Sequence, residues 1–318
     1  MTHPHRYPRD FICTVGAGGE EWLILVLLAD FFGYKIKVYK RITGSTEVCY
    51  GEEGVICNHT ILVLTAKFAV IDILRRIYRK QDERIRRNMK LSNRLLRVAL
   101  NVTPGYRVVD VGTDHGYVPI YLMENGMAAH VIAMDINAGP LERAEAHIKE
   151  NNLKDCIETR RSDGFSALRK DEADIAVIAG MGGELIKSIL EQGRDVVRGF
   201  RELVLSPHSE IDVVRRFLHE IGFRIVKEEM LIDDGKFYTI IKAVKGNDRN
   251  YTDVEYRYGA LLIENKDEIL HKFLIMRKKK LETILSRLEE EQTMNVRIRK
   301  EQLYGELMEI DGIIGYRV

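Results

Sequence analysis

The chain is poor in several residue types, and each shortage excludes a class. Four cysteines occur in 318 residues, at positions 13, 49, 57 and 156, with no C-x-x-C pair and no metal-ligand spacing. They read as reduced, incidental thiols, and no metal is expected. Six prolines and a 45% hydrophobic composition exclude a collagen-like or disordered chain. Long apolar runs are lacking too: Trp22 to Ala29 falls far short of the ~20 residues that a bilayer span needs. That run follows Glu20 and Glu21 and lacks a small-residue cleavage site, so neither a membrane anchor nor a signal peptide is expected. The expected location is the cytoplasm, where the N-x-T matches at Asn58, Asn101 and Asn250 carry no meaning. Net charge is nearly absent as well, with 49 Lys+Arg against 48 Asp+Glu. A uniformly basic nucleic-acid binder is thereby excluded, whereas local basic patches are not.

The balance is uneven along the chain. Residues 1–88 carry 14 basic and 10 acidic side chains, residues 89–244 carry 21 and 24, and residues 245–318 carry 14 of each. The length predicts about two domains, and the composition divides the chain into segments 1–88, 89–246 and 247–318. The first holds three of the four cysteines, the single tryptophan, two apolar runs (Trp22–Ala29 and Ile61–Leu74) and a basic run from Arg75 to Arg87. Its Val15-Gly-Ala-Gly-Gly-Glu misses the G-x-G-x-x-G spacing and reads as a plain turn. The basic run reads as a solvated helix face, with RNA phosphate as the alternative partner.

Residues 89–246 alternate between short β-rich runs and helical stretches. Helical spacing over Leu91–Val102 is followed by strands at Tyr106–Val111, His130–Met134, Cys156–Thr159, Asp174–Ile178 and Glu202–Leu205. Helices over Tyr117–Asn125, Gly139–Asn151, Gly183–Gln192 and Ile211–Ile221 separate them. Such alternation predicts an α/β fold with a parallel sheet covered on both faces. Two last strands, Phe223–Ile232 and Phe237–Ala243, are joined by Asp233-Asp234-Gly235-Lys236, a hairpin turn. A parallel sheet ended by an antiparallel hairpin is the arrangement of Rossmann-like class I methyltransferases, by fold analogy. Residues 247–318 carry two heptad-like seams: Leu270, Leu274, Arg277, Leu281, Ile284 and Leu288, then Val296, Leu303, Leu307, Ile310 and Ile314. They predict an antiparallel helical coiled-coil hairpin that turns near Asn295, preceded by a helix over Val254–Ile263.

Chemistry concentrates at the ends of the predicted strands. In Val108-Val-Asp110-Val-Gly112-Thr-Asp114-His115-Gly116-Tyr117 a strand ends at an acid, and a glycine turn opens a helix. Gly112 lets a ligand approach the backbone, and the helix N-terminus offers free N–H groups. Asp114 stands where a dinucleotide fingerprint has glycine. Its charge repels a pyrophosphate and suits the ammonium or sulfonium of S-adenosylmethionine. The bland alternative is a structural strand–turn–helix joint. Asp135, 25 residues after Asp110, ends the second strand and suits the two ribose hydroxyls or a helix cap. Asp163, before Gly164, suits an adenine amino group or a cap. Ile178-Ala-Gly180-Met181-Gly182-Gly183 lines the crevice with main chain, and the Asn/Asp-Pro-Pro-Tyr/Phe motif of many amino-group methyltransferases is absent. Ser206-Pro-His208 adds a further polar group.

Leu91-Ser-Asn-Arg94-Leu, the Asp110–Tyr117 motif, Ile178–Gly183, Ser206-Pro-His and Gly235-Lys-Phe-Tyr238 occur in that order. Together they resemble the bacterial tRNA adenine N1-methyltransferases that modify position 22, over about residues 89–318. The resemblance implies S-adenosylmethionine as cofactor and N1-methyladenosine in tRNA as product. It implies cofactor contacts at Asp110, Gly112, Asp114, His115, Asp135, Asp163, Gly164, Gly180 and Met181. The sequence departs from the family pattern in having Asp135 where some members have Glu, and Ser206 and His208 where Gln and Asn are common.

Asp114 and His115 are the candidate catalytic residues, beside donor and acceptor. Tyr117, Tyr238 and Phe237 are candidate stacking partners of the base, or else core aromatics. Arg160, Arg161 and Arg277-Lys278-Lys279-Lys280 are the candidate phosphate contacts, with a solvated helix face as the alternative for the lysine run. A monomer is expected. Competing readings are a methyltransferase for another RNA site or a small molecule, and a non-catalytic RNA-binding protein. A nicotinamide dehydrogenase is disfavoured by Asp114 and the terminal hairpin. Residues 1–88 are surplus to this function, as an extra module or because translation starts at Met89; the late start is the expectation. Mass spectrometry of the native protein tests it, because peptides from Trp22 to Arg75 would overturn a start at Met89.

Overall fold

The structure, a computed structural model, describes residues 91–288 and 293–315 in full, together with the backbone of four N-terminal strands. The chain divides into two compact units, Met1–Lys80 and Gln81–Val318. In the first, β1 (Phe11–Gly16), β2 (Trp22–Asp30), β3 (Gly33–Ile42) and β4 (Ser45–Val48) form an antiparallel meander in chain order. The apolar run at 22–29 is therefore β2. The second apolar run and the basic run lie outside the described residues.

The second unit begins with α1 (Asn93–Leu100), capped by the Ser92 hydroxyl, which accepts from the N–H of Leu95 at 3.3 Å. The sheet comprises β5 (Tyr106–Val111), β6 (Ala128–Asp135), β7 (Ile157–Arg161), β8 (Ile175–Met181), β9 (Glu202–Pro207), β10 (Phe223–Asp233) and β11 (Lys236–Lys245). Their order is β10-β11-β9-β8-β5-β6-β7. The pairs from β7 to β9 run parallel, and β11 is antiparallel to both β9 and β10. Strand order reverses between β5 and β8, and such a switch point opens a crevice at the strands' carboxyl ends. Connecting helices are α2 (Tyr117–Glu124), α3 (Ala138–Glu150), α4 (Gly183–Gln192), α5 (Arg194–Val197) and α6 (Ile211–Glu220). The parallel strands are apolar on both sides because helices cover both faces. Val108 and Val177 belong to one core, while Val109 and Ile178 belong to the other.

Past the sheet come α7 (Asp253–Tyr258), α8 (Ala260–Glu264), α9 (Glu268–Leu288) and α10 (Met294–Gly315). The single helix expected over 254–263 is broken at Gly259, where φ is +96°. A Cβ there would sit 2.8 Å from the Arg215 guanidinium and 2.9 Å from the Glu228 carboxylate. The hairpin turn also differs from expectation: Asn295 lies inside α10, so the reversal precedes it. The seams hold, with Leu270, Leu274, Leu281, Leu303 and Ile310 buried in one cluster. Leu285 is buried there more fully than the expected Ile284.

One ion pair ties these helices to the sheet. Arg215 of α6 and Glu228 of β10 are 1% and 0% exposed and meet at 2.7 Å. The Arg215 Nη1 donates to the carbonyls of Tyr256 (2.8 Å) and Arg257 (3.1 Å), and the Leu261 N–H donates to Glu228. Removing one partner leaves the other as an uncompensated buried charge, which costs about 3–5 kcal/mol. Arg215→Met is expected to lose roughly that much in urea unfolding, and Glu228→Gln in the same chain should recover a large part of it.

Candidate functional site

The edge of the crevice is built from main chain. Beyond β5 the chain turns at Gly112, φ +77°, and its N–H donates to the carbonyl of Met134 at 2.8 Å. A Cβ on Gly112 would overlap the terminal methyl of Met181, so the tips of β5 and β8 touch across the switch point. Asp135 fastens the loop from the neighbouring strand. One carboxylate oxygen accepts from the N–H of Asn137 at 2.9 Å and the other from the N–H of Asp114 at 3.4 Å. Asn137, rather than Asp135, occupies the N-cap position of α3.

Asp110 is 5% exposed at the end of β5. Burial pushes its carboxyl up to about 7, and the nearby negative charge of Asp135 adds to the rise. Gly164 packs against Ile189, and Asp163 beside it is exposed. The cap in that turn is Ser162, whose Oγ accepts from the N–H of Ala167 at 3.0 Å. Gly180 and Met181 end β8, and the His208 N–H donates to the Met181 carbonyl at 2.8 Å.

Several expected side-chain roles change once partners are visible. The exposed Asp114 is paired with Arg143 of α3 at 2.7 Å, so a protein cation already balances its charge. His115 lies 3.6 Å from Asp114 and stacks nearly parallel with Tyr117 (5.2 Å) and His147 (5.6 Å), its Nδ1 buried without a partner among the described residues. Tyr117 is thus committed to a ring stack within the protein. Phe237 packs edge-on against Phe273, which makes it a core aromatic. Tyr238 instead lies at the crevice, beneath the Arg94 guanidinium (5.3 Å) and edge-on to His208 (5.5 Å).

The expected phosphate contacts separate into two groups. Arg160 is engaged by carboxylates: Glu172 receives two of its hydrogen bonds, at 2.8 and 2.9 Å, and Glu158 receives two more. Arg160, an expected phosphate contact, thus has its guanidinium donors taken up within the protein. Arg277 holds Glu306 with two bonds, at 2.6 and 3.0 Å, and Lys278 pairs with Asp311 at 2.5 Å. Both bridge α9 to α10, so they staple the hairpin. Lys279 and Lys280 are exposed, as is Arg161, whose Nε donates to the Ile136 carbonyl at 3.0 Å. Sequence reasoning passed over Arg143 and the side chain of Arg94. No spacing rule shows that α3 brings Arg143 to Asp114, or that α1 packs across β8–β11.

A parallel sheet closed by an antiparallel hairpin, with acid-tipped strands around a glycine turn at the switch point, defines a Rossmann-like methyltransferase. A family model described as tRNA (adenine(22)-N(1))-methyltransferase matches residues 108–310, and the chain belongs to that family. The Bacillus subtilis tRNA (adenine(22)-N(1))-methyltransferase is 36% identical over 175 residues, which is 55% of this chain and 74% of that protein. A solved Streptococcus pneumoniae structure, described as a putative tRNA (m1A22) methyltransferase, is 31% identical with a TM-score of 0.66. It covers 70% of this chain and 99% of its own. A second structure of that protein, in complex with S-adenosyl-L-methionine, is 31% identical with a TM-score of 0.64 over 70% of this chain and 99% of its own.

The Asp110 carboxyl has a folded-state pKa above its unfolded value near 4. Its contribution to stability is therefore present at low pH and is lost as pH rises through about 7. Asp110→Asn should flatten the decline in unfolding free energy between about pH 4 and 7, by roughly 1.4 kcal/mol per pH unit at most. Urea titrations of both proteins across that range check it.

Proposed function

We propose that the chain transfers the methyl group of S-adenosylmethionine to N1 of adenine 22 in tRNA. The observation that carries this reading is the family match, which spans the crevice and the helical hairpin alike. The residues at the sheet edge fit the cofactor. A Cβ-free turn at Gly112 admits a close ligand, and the carboxylate of Asp135 is placed at a strand tip, where ribose hydroxyls donate. Asp163 and Gly164 would hold the adenine end, and Gly180 and Met181 line the side towards the acceptor. The cofactor supplies a methyl group already activated on a sulfonium. The protein's task is alignment of donor and acceptor. Adenine N1 has a free lone pair at neutral pH, so no residue has to act as a base to create the nucleophile. Methylation leaves a cationic ring, whose developing charge a nearby carboxylate favours. The target atom lies on the Watson–Crick edge, so the base is unpaired or flipped out when it reacts. His115 positions the Asp114 loop, and Tyr238 is the aromatic offered to the base.

The acidic balance of residues 89–318, 35 basic against 38 acidic, means that tRNA is held by patches. Lys279, Lys280 and Arg161 are assigned to phosphates, while Arg277 and Lys278 keep the hairpin closed. The enzyme works in the cytoplasm and as a monomer in this reading.

Incubation with methyl-labelled cofactor and unmodified tRNA should place the label on N1 of adenine 22, and a tRNA lacking that adenine should stay unlabelled. Label at another base, or none, would overturn the assignment. Lys279→Ala with Lys280→Ala should weaken tRNA binding and lower its log–log salt slope by roughly 1–2. Fluorescence anisotropy at several salt concentrations reads this, and unchanged affinity across salt would refute the phosphate role.

A further inference from the structure

The segment after β9, from Ser206 to Glu210, folds over the tip of β8. The His208 N–H donates to the Met181 carbonyl at 2.8 Å, and the Gly183 N–H donates to the Ser209 carbonyl at 2.9 Å. This approach needs glycine. A Cβ on Gly183 would sit 2.2 Å from the Glu210 carbonyl oxygen and 2.7 Å from that of Ser209. At Gly182 the bare main chain faces side chains instead. The point that its Cβ would occupy is 3.1 Å from the Ser209 hydroxyl and 3.5 Å from Glu210 Oε2.

The Glu210 carboxylate is held in place and left without a counter-charge. Its backbone has φ +45° and ψ +48°, a left-handed conformation that a non-glycine residue keeps only where its surroundings over-determine it. The Ser209 hydroxyl donates to its Oε2 at 2.5 Å, which orients the side chain beside Gly182. Glu210 is exposed, and among the described residues no cation pairs with it. Other acids of the crevice are engaged: Asp114 has Arg143, whereas Asp135 and Asp233 accept main-chain N–H groups. An uncompensated carboxylate beside a polyanion repels its phosphates, so it is a liability there unless the nucleic acid brings it a donor.

Adenine brings such a donor. Its N6 amino group adjoins N1 on the Watson–Crick edge, where guanine presents the O6 acceptor instead. The Asn/Asp-Pro-Pro-Tyr/Phe segment that would hold an amine is absent from the tip of β8, and Glu210 stands beside the glycines found there.

We propose that Glu210, oriented by Ser209 beside Gly182, accepts a hydrogen bond from the N6 amino group of the acceptor adenine. The assignment deepens the methyl-transfer reading and rests on it. In the transfer the N1 lone pair forms the new bond to the methyl carbon. The carbon–sulfur bond breaks, its electron pair stays on sulfur, and no proton moves. Positive charge thereby passes from the sulfonium to the adenine ring, where N1 and N6 share it. The N6–H becomes a stronger donor as that charge develops, so the bond to Glu210 tightens in the transition state and lowers the barrier.

Glu210→Gln keeps the size of the side chain and removes its charge. Single-turnover rates are measured with saturating methyl-labelled S-adenosylmethionine on two tRNAs. One has adenine at position 22; the other has purine, which keeps N1 and lacks the amino group. Each variant is compared with the native chain on the same tRNA, so the lower basicity of purine N1 cancels. Glu210→Gln should methylate the adenine tRNA about 10- to 100-fold more slowly, and the purine tRNA within about 2-fold of the native rate. Equal slowing on both tRNAs marks structural support alone and would overturn the proposal, as would a native rate on adenine. Ser209→Ala leaves the carboxylate but frees it, and should lose about 3-fold on adenine with purine unaffected. It decides the same comparison should Glu210→Gln lose its native unfolding midpoint. A native chain that labels neither tRNA would instead sink the methyl-transfer reading, and this assignment with it.

Discussion

The contact between Gly112 and the methyl group of Met181 is the constraint on which the working edge depends. Two parallel strands that feed helices on opposite faces must part at their carboxyl ends, and the crevice is the gap they leave. Here the gap is narrow, because the tips of β5 and β8 touch. The walls are consequently backbone, and the side chains that matter stand around them. Asp135 secures the β5 loop through two main-chain N–H groups, so its position is set by hydrogen bonds. The burial of Asp110 follows from the same closeness, since a strand tip pressed between neighbours has no route to water.

Charge is used differently in the two halves of this unit. Around the crevice, acidic groups stand at strand tips, and one buried donor of Arg94 has no partner among the described residues. In the hairpin half of the cationic run is spent internally. Arg277 and Lys278 join the two long helices, Arg257 pairs with Glu309, and Arg215 with Glu228 anchors α7 and α8 to the edge of the sheet. A count of basic residues along a helix therefore overstates what is available to a nucleic acid, because each pairing removes a cation from the surface field.

The sheet was legible because its signals are local and repeated. Apolar runs between helical stretches placed Tyr106–Val111 to the residue, and Asp234-Gly235 marked the β10–β11 turn. The acid–glycine motif was legible for the same reason, since strand, turn and helix are consecutive. Partnership was not legible. Asp114 read alone is a free anion, and only the packing of α3 reveals Arg143. Arg160 read alone is a free cation, although Glu158 and Glu172 stand two and twelve residues away. The break at Gly259 escaped periodicity because its cause, a buried ion pair between α6 and β10, is remote in sequence.

The N-terminal meander has a consequence for spectroscopy. The chain's one tryptophan, Trp22, opens β2. Indole emission therefore belongs to the N-terminal unit, whereas the unit that holds the crevice emits through tyrosine. Tyrosines occur in both units, so indole is the one reporter confined to a single unit, and its intensity would describe the unit without the methyltransferase motifs.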